Sequence, residues 1–85
     1  MKAEIYTKAN CPFCTRAKAL LKSKDVEYTE YFITTDVSES SSDKIVVTKE
    51  QLLERAPNAR TVPQIWLDNT YIGGYTDLEK YFNKN

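Results

Sequence analysis

The sequence contains no histidine, which removes every nucleophile–imidazole pair and with it the Cys–His hydrolases. It carries no net charge, twelve Lys and Arg standing against twelve Asp and Glu. A nucleic-acid binder needs clustered cations to neutralise phosphates, so nucleic acid is not an expected partner. No apolar run approaches the roughly 20 residues that a membrane span requires, so neither is a membrane. The opening Met1-Lys2-Ala3-Glu4 leads into neither a long apolar stretch nor a small-residue cleavage site. The expectation is therefore no signal peptide and a cytoplasmic location. There is no internal repeat. With only two cysteines and no histidine, a four-ligand zinc site would need two copies of the chain, and no metal is expected.

What is present is ordinary globular material. The chain is 41% hydrophobic and 28% charged, within the usual range for a folded domain. Its one Trp, six Tyr and three Phe supply enough buried area for a core without metal or disulfide staples. Eighty-five residues suit one domain, residues 1–85, and a monomer is expected. Charge is uneven along it. Lys2, Lys8, Arg16, Lys18, Lys22 and Lys24 face only Glu4 in the first 24 residues, whereas Asp25, Glu27, Glu30, Asp36, Glu39 and Asp43 follow without a base. Two solvated faces would explain this, and so would a surface near the N-terminus that attracts anions.

Residues 2–7 read as a strand, rich in β-formers at Ile5, Tyr6 and Thr7. Pro12 suits the first turn of a helix, where its missing N–H costs nothing. Phe13, Ala17, Leu20 and Leu21 then trace one apolar face. Residues 28–33 form a second strand. The polar stretch Thr34 to Lys44, with Ser40-Ser41-Ser42 at its centre, has no periodicity and reads as an exposed loop. Thr48 and Gln51 have capping-box spacing and open a helix carrying Leu52, Leu53 and Ala56, which Pro57-Asn58 ends. Residues 64–68 and 71–73 flank Asn69-Thr70 as a hairpin. Thr76 and Glu79 make a second capping box before a last helix that turns Leu78, Tyr81 and Phe82 inward. The order is β-α-β-α-β-β-α, an α/β arrangement in which a βαβ start and a hairpin imply a mixed sheet.

The chemistry concentrates at Cys11 and Cys14. A thiol attacks only as thiolate, and a free cysteine with a pKa of about 8.5 is mostly protonated near neutrality. Cys11 lies just before the first helix, facing unpaired N–H groups and the positive end of the macrodipole, with Lys8 three residues upstream. Three residues along a helical turn bring Cys14 within reach, so a disulfide can close with little rearrangement. Cys14 lies deeper and should be less ionised, which makes Cys11 the attacking thiol and Cys14 the resolving one. Two unrelated buried cysteines would also satisfy the spacing, though not the strand–proline–helix setting around it.

With this strand, Cys11-Pro12-Phe13-Cys14, Thr61-Val62-Pro63 and Gly73-Gly74-Tyr75-Thr76-Asp77-Leu78 in order, the chain resembles the glutaredoxin family over nearly its whole length. It looks most like the small dithiol members of bacteria and viruses. The resemblance implies a thioredoxin-like fold, with a four-stranded mixed sheet and helices on both faces. It implies glutathione as co-substrate and no tightly bound cofactor. The implied substrates are glutathione mixed disulfides and disulfide-containing proteins, ribonucleotide reductase among them. By position, Cys11 is the family's nucleophile, Cys14 its resolving thiol, and the two form the redox-active disulfide. Pro63 matches a cis-proline, and Val62 before it offers backbone groups to the substrate cysteine, with Thr61 alongside. Read without the family, Thr61-Val62-Pro63 is simply the approach to a strand.

Glutathione presents two carboxylates and one ammonium. Lys8 matches the lysine that faces the glycine carboxylate, with Arg60 and Gln51 as further candidates. Gly74, Tyr75, Thr76 and Asp77 match the turn that holds the γ-glutamyl end, through backbone N–H groups, the Thr76 hydroxyl and the Asp77 carboxylate. Helix capping alone would also account for Thr76 and Asp77. Phe13 either flanks the sulfur or packs in the core. Four functions fit a thiol pair on such a scaffold: a glutathione-dependent reductase, a thioredoxin-like donor served by a flavoprotein, an iron–sulfur carrier, and a non-catalytic binding module. The Lys8 and Thr76-Asp77 constellation favours the first. Pro12 and the competing Cys14 thiol disfavour the carrier.

Overall fold

A computed structural model describes residues 1–34 and 44–83. The Ser-rich acidic stretch read as an exposed loop lies outside the described residues from position 35 to 43. The elements are β1 (Lys2–Lys8), α1 (Pro12–Ser23), β2 (Glu27–Ile33), β3 (Lys44–Val47), α2 (Lys49–Arg55), β4 (Gln64–Leu67), β5 (Thr70–Gly73) and α3 (Tyr75–Phe82). The strands form one mixed sheet in the order β3-β2-β1-β4-β5. This is the thioredoxin-like α/β fold, with five strands where four were expected. The additional strand is β3, which lies parallel to β2 with Phe32 opposite Val46. Its four residues, Lys-Ile-Val-Val, follow so polar a run that no period emerges, and pairing along the β2 edge decides their conformation.

Alternation along the central strand divides the interior. Ala3 and Ile5 of β1 join Ile65 and Leu67 of β4 on one face, where Ala17 and Leu21 of α1 and Leu78 of α3 cover them. Tyr6 and Trp66 point the other way, onto Leu52 and Ala56 beside α2. Strand period and helix period thus meet on both faces of the sheet. On the α2 side Tyr6 stacks on Tyr31 with ring centroids 4.8 Å apart. The Arg55 guanidinium lies 4.2 Å over Trp66 and 3.1 Å from a Glu4 oxygen. The Tyr31 hydroxyl donates to the other Glu4 oxygen at 3.0 Å. Burial, and then this hydrogen bond to a carboxylate, raise the Tyr31 pKa above its usual value.

Local chemistry sets most element ends. Thr48 and Gln51 form the expected reciprocal capping box at α2. The helix α1 closes with a Schellman motif, Val26 N–H donating to Leu21 at 3.0 Å and Asp25 N–H to Lys22 at 3.0 Å. Asp25 occupies the left-handed position at φ 57°, which glycine usually takes. Three expectations shift. The β4–β5 turn centres on Asp68-Asn69, both at positive φ, one residue earlier than Asn69-Thr70, because a two-residue turn of this hand needs residues that tolerate that region. In α3 the cap is Gly74, with Asp77 at the third position accepting from its N–H at 3.2 Å, so Thr76-Glu79 is not the box. Finally, Phe13 and Tyr81 are exposed at 53% and 41%. The faces of α1 and α3 are therefore narrower than their apolar residues suggested.

At Asp25, glycine should hold or raise stability, whereas Asp25→Val should cost about 1–2 kcal/mol, the penalty of a left-handed branched residue. Urea unfolding midpoints of the two variants check this. Equal midpoints would show that the motif does not fix this residue's backbone.

Candidate active site

The dithiol sits where β1 runs into α1. The chain leaves the sheet after Lys8 and turns at Asn10, whose φ of 56° suits asparagine better than a branched residue. Cys11 is then the N-cap of α1 in extended conformation, with Pro12 at the first helical position. Its sulfur accepts the Cys14 N–H at 3.2 Å, so one of the orphan donors of the helix is aimed at the atom that carries the charge when Cys11 ionises. The two sulfurs are joined as a disulfide, with the Cα atoms 5.3 Å apart. Cys14 is only 2% exposed while Cys11 is half-buried. The accessible thiol is therefore the one at the helix terminus.

Across from Cys11 lies the loop before β4. The Val62–Pro63 bond is cis, and the Val62 carbonyl oxygen is 3.6 Å from the Cys11 sulfur. Gln64, buried at the start of β4, holds this loop from beneath. Its side-chain amide donates to the Thr61 carbonyl at 2.7 Å, and its oxygen accepts from the Tyr71 hydroxyl. Gln64 is a site-supporting residue that the sequence did not single out. Its sign was available, since a polar amide at the head of an apolar strand needs partners once buried.

Two grooves leave Val62 in opposite directions. One, of about 190 Å³, is lined by Lys8, Ile33, Ala59, Arg60, Thr61 and Val62. The other, of about 510 Å³, passes Phe13 and Pro63 to Gly74, Tyr75, Thr76 and Asp77 at the start of α3. All the expected contact residues fall along these two grooves except Gln51. Gln51 belongs to the α2 cap, where its Oε1 accepts the Thr48 N–H at 2.8 Å. Gly74 N–H is engaged by Asp77, which leaves the other first-turn N–H groups of α3 without intrahelical acceptors. Phe13 lies beside Tyr75, centroids 6.0 Å apart, at the groove mouth and not in the core. Among the described residues no helix is long and apolar enough to cross a membrane.

The glutaredoxin family model matches residues 3–72. This chain belongs to the glutaredoxin family. A probable glutaredoxin of Synechocystis is 44% identical over 77 residues, covering 91% of this chain and 77% of its own length. Glutaredoxin 3 of Escherichia coli is 44% identical over 75 residues, covering 88% and 78%. The solution structure of reduced Escherichia coli glutaredoxin superposes with a TM-score of 0.71 at 33% identity, covering all of this chain and 96% of that one. Family membership, with the Cys11–Cys14 pair in its C-x-x-C motif, makes the chain a thiol–disulfide oxidoreductase.

The end of β5 gives the site a point of weakness. Gly73 has φ 121°, and a Cβ there would run into the Asp77 carboxylate. Gly73→Ala should destabilise by about 1–3 kcal/mol through backbone strain and displacement of the α3 cap. Urea titration reads this out, and a loss below about 0.5 kcal/mol would mean the turn relaxes freely.

Proposed function

We propose that this chain is a glutathione-dependent reductase of protein disulfides and glutathione mixed disulfides, with Cys11 as nucleophile and Cys14 as resolving thiol. The observation that carries the reading is the position of the half-buried Cys11 sulfur, 3.6 Å from the Val62 carbonyl, where a cationic groove and a helix-terminal groove meet. Glutathione has the complementary shape. Its glycine carboxylate would lie toward Lys8 and Arg60, its cysteine would pair with the Val62 backbone, and its γ-glutamyl carboxylate would meet the free N–H groups of Tyr75 and Thr76. The Asp77 oxygen not held by Gly74 would take the ammonium. Thr61 and Pro63 form the wall between, and Phe13 lines the γ-glutamyl side beside Tyr75.

In the reaction, the Cys11 thiolate attacks a disulfide sulfur of the substrate. One S–S bond breaks as a new one forms at Cys11, and the released substrate thiolate takes a proton from solvent. When the group left on Cys11 is glutathionyl, the thiolate of a second glutathione attacks its sulfur, giving oxidised glutathione and restoring Cys11. When it is a protein, Cys14 loses its proton and attacks the Cys11 sulfur, expelling the protein thiolate. Tethering gives Cys14 a high effective concentration for that step. The Cys11–Cys14 disulfide is then reduced by two glutathione molecules. Ribonucleotide reductase is a protein substrate of the right kind, and a cytoplasmic monomer using no tightly bound cofactor completes the reading.

Turnover of a low-molecular-weight glutathione mixed disulfide, coupled to glutathione reductase, tests the proposal; no turnover above the uncatalysed rate rejects it. The two thiols should also separate. Cys14→Ser should retain most deglutathionylation and lose most reduction of an intramolecular protein disulfide, whereas Cys11→Ser should lose both. Equal loss of the two activities in Cys14→Ser, with unchanged circular dichroism, would overturn the assigned roles.

A further inference from the structure

A third groove, of about 620 Å³, lies on the other side of the dithiol and contains both cysteines. The charged groups along it come from four elements: Lys8 of β1, Lys18 of α1, Glu30 of β2 and Lys44 of β3. Glu30 is 6% exposed, and its carboxylate is held from two sides. The Thr7 hydroxyl donates to Oε2 at 2.6 Å. The Lys18 ammonium donates to Oε1 at 3.2 Å and Oε2 at 3.1 Å. The Lys44 ammonium is turned onto the Phe32 ring, 4.3 Å from its centroid, and Lys8 is exposed. The proposed reaction gives this half-buried pair no part.

Its place on α1 gives it a use. Cys14 and Lys18 are four residues apart on one helix, so they are neighbours on one face. Side chains of a helix lean toward its N-terminus, which carries the Lys18 stem back over the turn holding Cys14. An unpaired ammonium there would favour the Cys14 thiolate, as any near cation does. Glu30 takes that ammonium with both oxygens and cancels its charge.

We propose that Glu30, by holding the Lys18 ammonium, keeps that charge from ionising the resolving thiol, so that Glu30 is a positioning residue acting through Lys18 on Cys14. This rests on the reading of Cys14 as the resolving thiol. The consequence concerns the choice between two routes. With a glutathionyl group on Cys11, a Cys14 thiolate would attack the Cys11 sulfur, form the intramolecular disulfide and expel glutathione as thiolate. A protonated Cys14 leaves that intermediate for a second glutathione. Glu30 thus biases the protein toward the one-thiol route for glutathione mixed disulfides while Cys14 remains available to slower protein intermediates.

The test follows the thiolate absorbance of Cys14 against pH in a Cys11→Ser background, where Cys14 is the sole thiol. At a fixed pH below the parent midpoint, Glu30→Gln should raise the thiolate fraction by about threefold or more, since Lys18 is left uncompensated. Lys18→Gln should lower it by about threefold or more, since a carboxylate is left uncompensated. The double variant should return to within about twofold of the parent, as two coupled charges removed together must. A merely structural pair would shift both single variants in one direction, or neither, and either result overturns the proposal. Should Glu30→Gln prove too unstable to titrate, Lys18→Gln decides alone, because only a fall is compatible. Absence of glutathione turnover in the parent protein would instead reject the enzymatic reading and leave this titration standing.

Discussion

The register between β1 and β4 governs everything built above it. Ile5 faces Ile65 and Tyr6 faces Gln64 in an antiparallel ladder, so the end of one strand and the beginning of the other reach the same edge of the sheet. Cys11 leaves the first and Val62 precedes the second. A slip by one residue would exchange the faces of Ile65 and Trp66, putting an indole under α1 and an isoleucine against Arg55. It would also carry the Val62 carbonyl about one strand residue, roughly 3.4 Å, along the Cys11 sulfur. Both interiors resist that slip, because each has a large side chain from β4 fitted to its own set of partners.

The same edge receives two helix N-termini. α1 begins at the thiol and α3 begins at Gly74, and both helices cover the face built on Ile5 and Ile65. Positive helix ends therefore lie near the sulfur and near the far groove, while Lys8 and Arg60 supply mobile cations at the near groove. Positive potential at this end of the sheet thus comes from backbone placement as well as from lysine and arginine. A chain of zero net charge can therefore still gather positive groups at one end of its sheet.

How far the site could be read before folding differs by residue. The C-x-x-C, the proline after Cys11 and the Thr48 cap are local devices, and they act as their spacing indicates. The α3 cap was displaced by two residues because Gly74 offers no side chain to recognise, and only the position of Asp77 betrays it. Glu30 was counted among solvated acids, yet it alternates with Tyr28 and Phe32 on the covered face of β2. Its burial depends on a threonine from β1 and a lysine from α1, partners no local window contains. For Phe13 the sequence leaves core and site open, and the rotation of α1 on the sheet places it outside the core. What remained hidden was in each case set by contacts between distant elements.

The separation of 51 positions between Cys11 and Val62 has a further meaning for the chain before it is folded. Thiol proximity is written into four consecutive residues and survives in a random coil, whereas selectivity for a partner needs both ends of the sheet brought together. Closing so long a loop is paid in entropy before any contact repays it. An unfolded or newly made chain therefore carries adjacent thiols without the helix terminus or the Val62 loop beside them. Folding is what brings both to a thiol pair that is already adjacent.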